Sequence, residues 1–115
     1  MANSCKDSVE TLISSLTVPA KIASFDRIFT GKYRENLKLP CLAVGLPEPE
    51  VKWTVKGQGL APGENPHYRI VEGGLMVMGV TREDAGEYVC SVENSFGKDT
   101  VTHQLVVHGT LIALL

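Results

Sequence analysis

Cysteine and histidine are the side chains of this chain whose chemistry depends most on spacing. The three cysteines are Cys5, Cys41 and Cys90, and none belongs to a C-x-x-C motif. A metal or redox centre on Cys41 and Cys90 is therefore disfavoured, and we predict a structural disulfide between them. That bridge would close a loop of about fifty residues and stabilise the fold by roughly 4 kcal/mol in the chain-entropy treatment. Cys5 is left over, either as a reactive or intermolecular thiol or, as we favour, as an incidental cysteine of an N-terminal tail.

The histidines and acidic residues do not suggest catalysis. His67, His103 and His108 are scattered, and no two have metal-ligand spacing on one predicted element, so we expect no zinc site. No serine has a G-x-S-x-G context, and no pair of carboxylates is placed as an acid and a base. The sequence therefore predicts a protein that is not an enzyme and has no cofactor. His103 falls on the inward phase of the last predicted strand, where we expect a half-buried, hydrogen-bonded side chain.

Length and composition are typical of one globular domain. The chain has 115 residues, of which 43% are apolar and 21% are charged. Its formal net charge of −2 gives no basis for binding nucleic acid or an anionic membrane. Residues 1–17 lack the apolar stretch of a secretory signal, and the apolar segment 111–115 is too short to span a bilayer. Because a disulfide persists in an oxidising compartment, we expect an extracellular piece of a longer protein.

Short apolar runs divided by turn residues predict an all-β fold with no helix of useful length. The predicted strands are 20–25, 36–44, 51–56, 67–71, 75–80, 86–93 and 98–108. Residues 26–32 are expected to carry the chain between two sheet edges, and 57–66 are expected to form a loop. A tight hairpin turn is predicted at 94–97, with Gly97 in a positive-φ conformation.

The spacing around the cysteines indicates which all-β fold this is. Trp53 follows Cys41 by twelve positions, and Tyr88 precedes Cys90 by two. A disulfide between two facing sheets, a tryptophan packed beside it and a tyrosine corner are features of the immunoglobulin sandwich. We therefore predict an immunoglobulin-like β-sandwich, with two antiparallel sheets joined by one disulfide. Its core is expected to contain the inward-facing residues Leu39, Trp53, Leu75, Val77 and Tyr88.

Several motifs carry a resemblance to a known family. Alternating leucines lead into Cys41, Leu75 begins an L-x-V-x-x-V motif, and Asp84 begins D-A-G-E-Y-V-C, which E-N-x-F-G follows. Together they resemble an intermediate-set immunoglobulin domain over residues 18–108. The strand sequences further resemble the domain that arthropod cell adhesion receptors carry between fibronectin type III repeats.

The resemblance implies a multi-domain cell-surface receptor used in homophilic adhesion, neuronal wiring or arthropod immune recognition. Its partners would be proteins, homophilic in the full-length receptor, with fibronectin type III domains as neighbours in the chain. This domain would be a non-enzymatic extracellular spacer, without a membrane span of its own. Residues 1–17 would be an N-terminal tail or the end of a preceding fibronectin type III repeat, and 109–115 would be a C-terminal tail.

Two other placements of such a domain stay open. An intracellular intermediate-set domain of a muscle giant protein would act as a mechanical link. The redox state of Cys41 and Cys90 distinguishes that placement from the extracellular one. An accessory domain of an enzyme would instead need a catalytic neighbour in the same protein.

Arg69 and Asp84 form a candidate ion pair. In a sandwich of this type, the strand that contains Arg69 would lie near the crossover that contains Asp84, so we predict a structural salt bridge between them. Arg82 is a competing partner for Asp84. It is close to Asp84 in sequence, however, and we expect it to point to solvent.

Met76 and Met78 form a candidate protein interface. They alternate with the inward-facing Leu75 and Val77, so both are expected on the outer face of the same sheet. Adjacent exposed methionines would make an adaptable apolar contact surface. The plainer interpretation is that single exposed apolar residues are ordinary.

Overall fold

Short β-branched and apolar runs between glycines and prolines form strands throughout the computed structural model, which describes residues 16–61 and 65–108. The strands are β1 Val18–Ile22, β2 Arg27–Lys32, β3 Leu37–Pro40, β4 Ala43–Leu46, β5 Glu50–Val55, β6 Gln58–Leu60, β7 Tyr68–Val71, β8 Gly74–Val77, β9 Gly86–Asn94 and β10 Gly97–His108. A short 3-10 turn, Arg82–Asp84, joins β8 to β9. Within these residues, no helix is long and apolar enough to cross a membrane.

The strands pack as a sandwich. One sheet has five strands in the order β2-β10-β9-β5-β6. A three-stranded sheet in the order β3-β8-β7 lies across the disulfide from it, and β4 pairs with β1. All pairs are antiparallel except β2 with β10, which is parallel. The predicted immunoglobulin-like β-sandwich with one disulfide is thus confirmed, with a parallel pair added at one edge.

Residues 26–32 were expected to carry the chain between two sheet edges. The chain does pass from the β1–β4 pair to the edge of the five-stranded sheet, but residues 27–32 are themselves a strand, β2, which pairs with β10 along its whole length. Phe29 is half-buried and Gly31 is buried, whereas their neighbours are exposed. Residues of this segment therefore alternate between the interior and solvent, as in a strand at the edge of a sheet. Gly31 allows close packing in this strand: a Cβ there would lie 3.4 Å from a methyl group of Val80.

The predicted strand 36–44 is divided into β3 and β4, which have different partners. β3 pairs with β8, whereas β4 pairs with β1. The division falls where β8 begins. Pro40 lies opposite Gly74, and one further bond in the same register, from the Cys41 N–H to the Gly73 carbonyl, ends the ladder. The predicted loop 57–66 also contains a short strand, β6, which pairs with β5.

The five residues predicted for the core are all in the buried interior. Leu39, Trp53, Leu75, Val77 and Tyr88 are each at most 1% exposed. Further buried apolar residues complete the cluster, namely Ala20, Val80, Val92, Val101 and Leu105. The interior therefore draws on both sheets and on β1.

Gly97 begins β10 in a conformation that we did not expect. The positive-φ glycines among the described residues are Gly45, Gly57, Gly73, Gly79 and Gly86, so the prediction for Gly97 was wrong. What Gly97 provides is space for β1. A Cβ built on it would lie 2.7 Å from Cβ of Pro19 and 3.1 Å from the backbone nitrogen of Ala20.

Candidate functional site

The disulfide lies in the interior and joins the two sheets. Cys41, just after β3, is bonded to Cys90 on β9, with their Cα atoms 6.5 Å apart. Trp53 lies directly opposite Cys90 in the ladder of β5 and β9, and both side chains are buried. Because both described cysteines are bonded, this part of the chain offers no thiolate for metal binding or redox chemistry. Cys5 lies outside the described residues.

Asp84 is the centre of a buried polar cluster. Its side chain, in a residue only 3% exposed, accepts hydrogen bonds from the Tyr68 hydroxyl at 2.8 Å and the Thr81 N–H at 2.7 Å. Nε2 of His67 lies 2.8 Å from the same oxygen that Tyr68 contacts. The Tyr88 hydroxyl donates to the Asp84 carbonyl at 2.6 Å, which is the bond of a tyrosine corner.

The electrostatics of this cluster fix which groups donate and which accept. Burial raises the pKa of the Asp84 carboxyl, but hydrogen bonds from Thr81, His67 and Tyr68 outweigh it, and the pKa is lowered overall. Burial is the main cause that raises the pKa of the Tyr68 and Tyr88 hydroxyls. At neutral pH, Asp84 is therefore an ionised acceptor and both phenols keep their protons. The cluster ties β7 and β9 to the 3-10 turn, which is a structural role.

The predicted salt bridge between Arg69 and Asp84 was wrong. Asp84 pairs with His67, while Arg69 is exposed. Tyr68 directs its hydroxyl to Asp84, so strand alternation turns the next residue of β7, Arg69, to the opposite face. His67 precedes β7 in a turn, where its N–H donates to the Asn65 side chain, and alternation does not apply to it.

Met76 and Met78 were expected to be exposed, but both are half-buried. Met76 belongs to β8, the middle strand of its sheet, and its cross-strand neighbours are Lys38 on β3 and Arg69 on β7. Long aliphatic stems on both sides cover apolar surface in this arrangement. The outer face of this sheet therefore exposes less methionine surface than the sequence suggested.

His103 is more deeply buried than we expected. Its side chain is fully buried, and Nε2–H donates to the Pro40 carbonyl at 2.7 Å. The ring also lies edge-on to Phe29, with the centroids 5.0 Å apart. Because β10 and β3 belong to different sheets, this hydrogen bond joins the two sheets close to the disulfide. Nδ1 has no hydrogen-bond partner within the described residues.

Asn94 is a structural residue that sequence reasoning missed. Its amide nitrogen donates to the carbonyls of Val18 at 2.8 Å and Pro47 at 3.0 Å. Its amide oxygen accepts from the N–H groups of Ala20 and Phe96. One side chain thus joins β1, the connection from β4 to β5, and the β9–β10 hairpin. An asparagine at a hairpin turn was the available signal, since its side chain readily bonds to nearby backbone.

No arrangement typical of a metal site occurs in the described part of the chain. There, no three His, Cys, Asp or Glu side chains converge in a way that could hold an ion. The polar side chains of Asp84, His103 and Asn94 all hydrogen-bond to the protein itself. These polar groups therefore serve the fold.

Comparison with known proteins identifies close relatives. A family model described as the immunoglobulin I-set domain matches residues 22–107. The cell adhesion molecule Dscam1 of Drosophila melanogaster is 50% identical over 91 residues, which are 78% of this chain and 4% of that protein. The chain therefore spans a small fraction of the length of this relative.

A second relative and a solved structure extend the comparison. A titin homolog of Caenorhabditis elegans is 39% identical over 71 residues, or 58% of this chain. The solved structure of Sidekick-1 immunoglobulin domains 1-4 superposes with a TM-score of 0.73 at 29% identity. It covers 82% of this chain and 25% of the solved one.

Proposed function

This chain belongs to the immunoglobulin I-set family, and we propose that it is a non-enzymatic, extracellular spacer domain of a cell adhesion receptor. The observation that carries the proposal is the 50% identity to the cell adhesion molecule Dscam1 over most of the chain. A closed disulfide between Cys41 and Cys90 supports the extracellular location, because such bridges persist in oxidising compartments.

The course of the first and last strands supports a spacer role. β1 lies against Gly97 at the start of β10, and β10 then runs to His108 at its other end. At 3.3 Å per residue, β10 covers roughly 36 Å. The chain thus enters at one end of the sandwich and leaves at the other, as a domain in a linear array must.

The finer features of the receptor belong to the same proposal. We infer that residues 18–108 are the immunoglobulin domain and that fibronectin type III domains flank it. The tails 1–17 and 109–115, almost all of which lie outside the described residues, would connect it to them. Homophilic binding would be a property of the full-length receptor, in neuronal wiring or arthropod immune recognition, and this domain would set the distance between other domains.

A muscle-type intracellular domain is the second candidate. The identity of 39% to a titin homolog supports it, although over a shorter part of the chain. Such a domain would transmit force inside the cell, where thiols are kept reduced. Compartment and cysteine oxidation therefore distinguish the two functions.

The test is the redox state of the endogenous protein. Tissue lysed in the presence of an alkylating reagent, followed by peptide mapping, shows whether Cys41 and Cys90 were bonded in place. We expect both to be unlabelled before reduction, and the protein to be labelled by a membrane-impermeant biotin reagent on intact cells. Alkylated Cys41 and Cys90, with no surface labelling, would contradict the extracellular proposal.

A further inference from the structure

Strand β4 has one edge without a partner strand among the described residues. It pairs with β1 alone, and β8, which pairs with β3, begins at Gly74 opposite Pro40. The N–H of Ala23, after β1, donates to the Leu42 carbonyl at 2.7 Å. Backbone groups alternate in direction along a strand, so those of Ala43 point away from β1. An unpaired strand edge of this kind can accept another strand.

A groove of about 490 Å³ runs along this edge. Its lining comes from the start of β4, from the turn between β7 and β8, and from Pro49 and Val51. Three apolar side chains at the rim are exposed to solvent, namely Leu42 at 52%, Val44 at 49% and Val71 at 37%. The groove therefore combines free backbone groups with apolar surface that a bound segment would cover.

The charged residues that line the groove are all acidic. Of the described residues that line it, the charged ones are Glu48, between β4 and β5, and Glu72, between β7 and β8, and both are exposed. Lys38 reaches toward Gly73 from β3, but it does not line the groove. The rim thus favours a partner that brings positive charge alongside apolar groups.

We propose that this groove binds an extended polypeptide segment in which apolar residues alternate with lysine or arginine, added as a strand to the edge of β4. Backbone hydrogen bonds to β4 would hold the segment, and alternate side chains would face the apolar floor. The basic side chains between them would face Glu48 and Glu72. The four residues of β4 offer about 13 Å of edge, enough for a segment of about four residues. This binding role goes beyond a spacer and does not depend on the adhesion function.

The probe for this proposal is a capped hexapeptide of alternating valine and lysine, titrated into the ¹⁵N-labelled chain and followed by NMR. We expect saturable shifts of the amide signals of 42–46 and 71–74. A peptide with glutamate in place of lysine should bind at least about five-fold more weakly, since each charge contact changes from attraction to repulsion. A valine–lysine peptide with alternate N-methylated amides should lose binding, because it cannot form the ladder.

Charge reversal on the protein provides the matched variant. Glu48→Lys with Glu72→Lys changes two exposed side chains, so the fold should be kept and checked by the dispersion of the same spectrum. In this variant, the glutamate peptide should bind more tightly than the lysine peptide. Absence of saturable shifts would overturn the proposal. So would shifts confined to the edges of β2, β6 or β7, an unchanged charge preference in the variant, or full binding by the N-methylated peptide.

Discussion

Nε2 of His67 lies 2.8 Å from Oδ1 of Asp84, at the point where β7 meets the 3-10 turn. His67 is partly exposed at the surface, whereas Asp84 is buried. The pair therefore connects a solvent-accessible imidazole to the interior network that also holds Tyr68 and Tyr88. Its removal should weaken the connection between β7 and β9.

We expect His67→Ala to lower the free energy of unfolding by about 1 kcal/mol, because Asp84 loses one of its hydrogen bonds. Arg69→Met is the matched control, since it keeps an aliphatic stem beside Met76 and removes the exposed charge, and it should change stability by less than about 0.5 kcal/mol. Urea unfolding followed by Trp53 fluorescence measures both. A larger loss in Arg69→Met than in His67→Ala would support the ion pair that the sequence suggested.

How far the sequence predicts a contact depends on the kind of residue that makes it. The spacing of Cys41, Trp53 and Cys90 is set by strand alternation and by a covalent bond, so both the fold and the disulfide could be predicted. His67 lies in a turn, where no period indicates the direction of a side chain. The bond of Asn94 to the Val18 carbonyl joins positions 76 apart, and the turn signal of the asparagine indicates only its local bonds.

Asp84 should contribute a pH-dependent part of the stability. Its pKa is lowered in the folded state, so its contribution is full above the unfolded value of about 3.9 and is lost as pH falls through the folded value. Asp84→Asn should therefore cost about 1–3 kcal/mol at pH 7 and less at pH 3. Unfolding at both pH values, with the exposed Glu48→Gln as control, measures the difference. An equal loss of unfolding free energy at pH 7 and pH 3 would show that the ionised form of Asp84 stabilises the fold no more than the protonated form.

Trp53 should be the most costly single side chain to remove. It is 1% exposed and lies opposite Cys90, so Trp53→Ala would leave a cavity beside the disulfide and cost about 3–5 kcal/mol. Guanidinium unfolding followed by circular dichroism is suitable, because the variant lacks the fluorophore. Phe96→Ala, at a half-exposed aromatic, should cost far less. A loss below 1 kcal/mol for Trp53→Ala would be incompatible with the buried position of the indole.

The isolated chain should not form a tight dimer. Met76 and Met78 are each half-buried, so they offer little exposed apolar surface to a second copy. Sedimentation equilibrium at micromolar concentration should give the mass of a monomer, about 12.4 kDa. A tight dimer that Met76→Lys abolishes would revive this face as an interface and count against a purely spacing role.

Substitution of Gly97 should lower the stability of the fold, because there is no space for a side chain at this position. A Cβ at this position would lie 2.7 Å from Cβ of Pro19, and the neighbouring contact is to backbone, which cannot rotate away. We expect Gly97→Ala to push β1 from the hairpin and cost about 1–3 kcal/mol. Gly59→Ala is the matched control, because nothing lies within 4 Å of its Cβ position and its φ is not in the left-handed region. That variant should be neutral or slightly stabilised, since alanine restricts the unfolded chain. Thermal unfolding of both variants decides the matter: equal melting temperatures would mean that β1 is free to move away from β10.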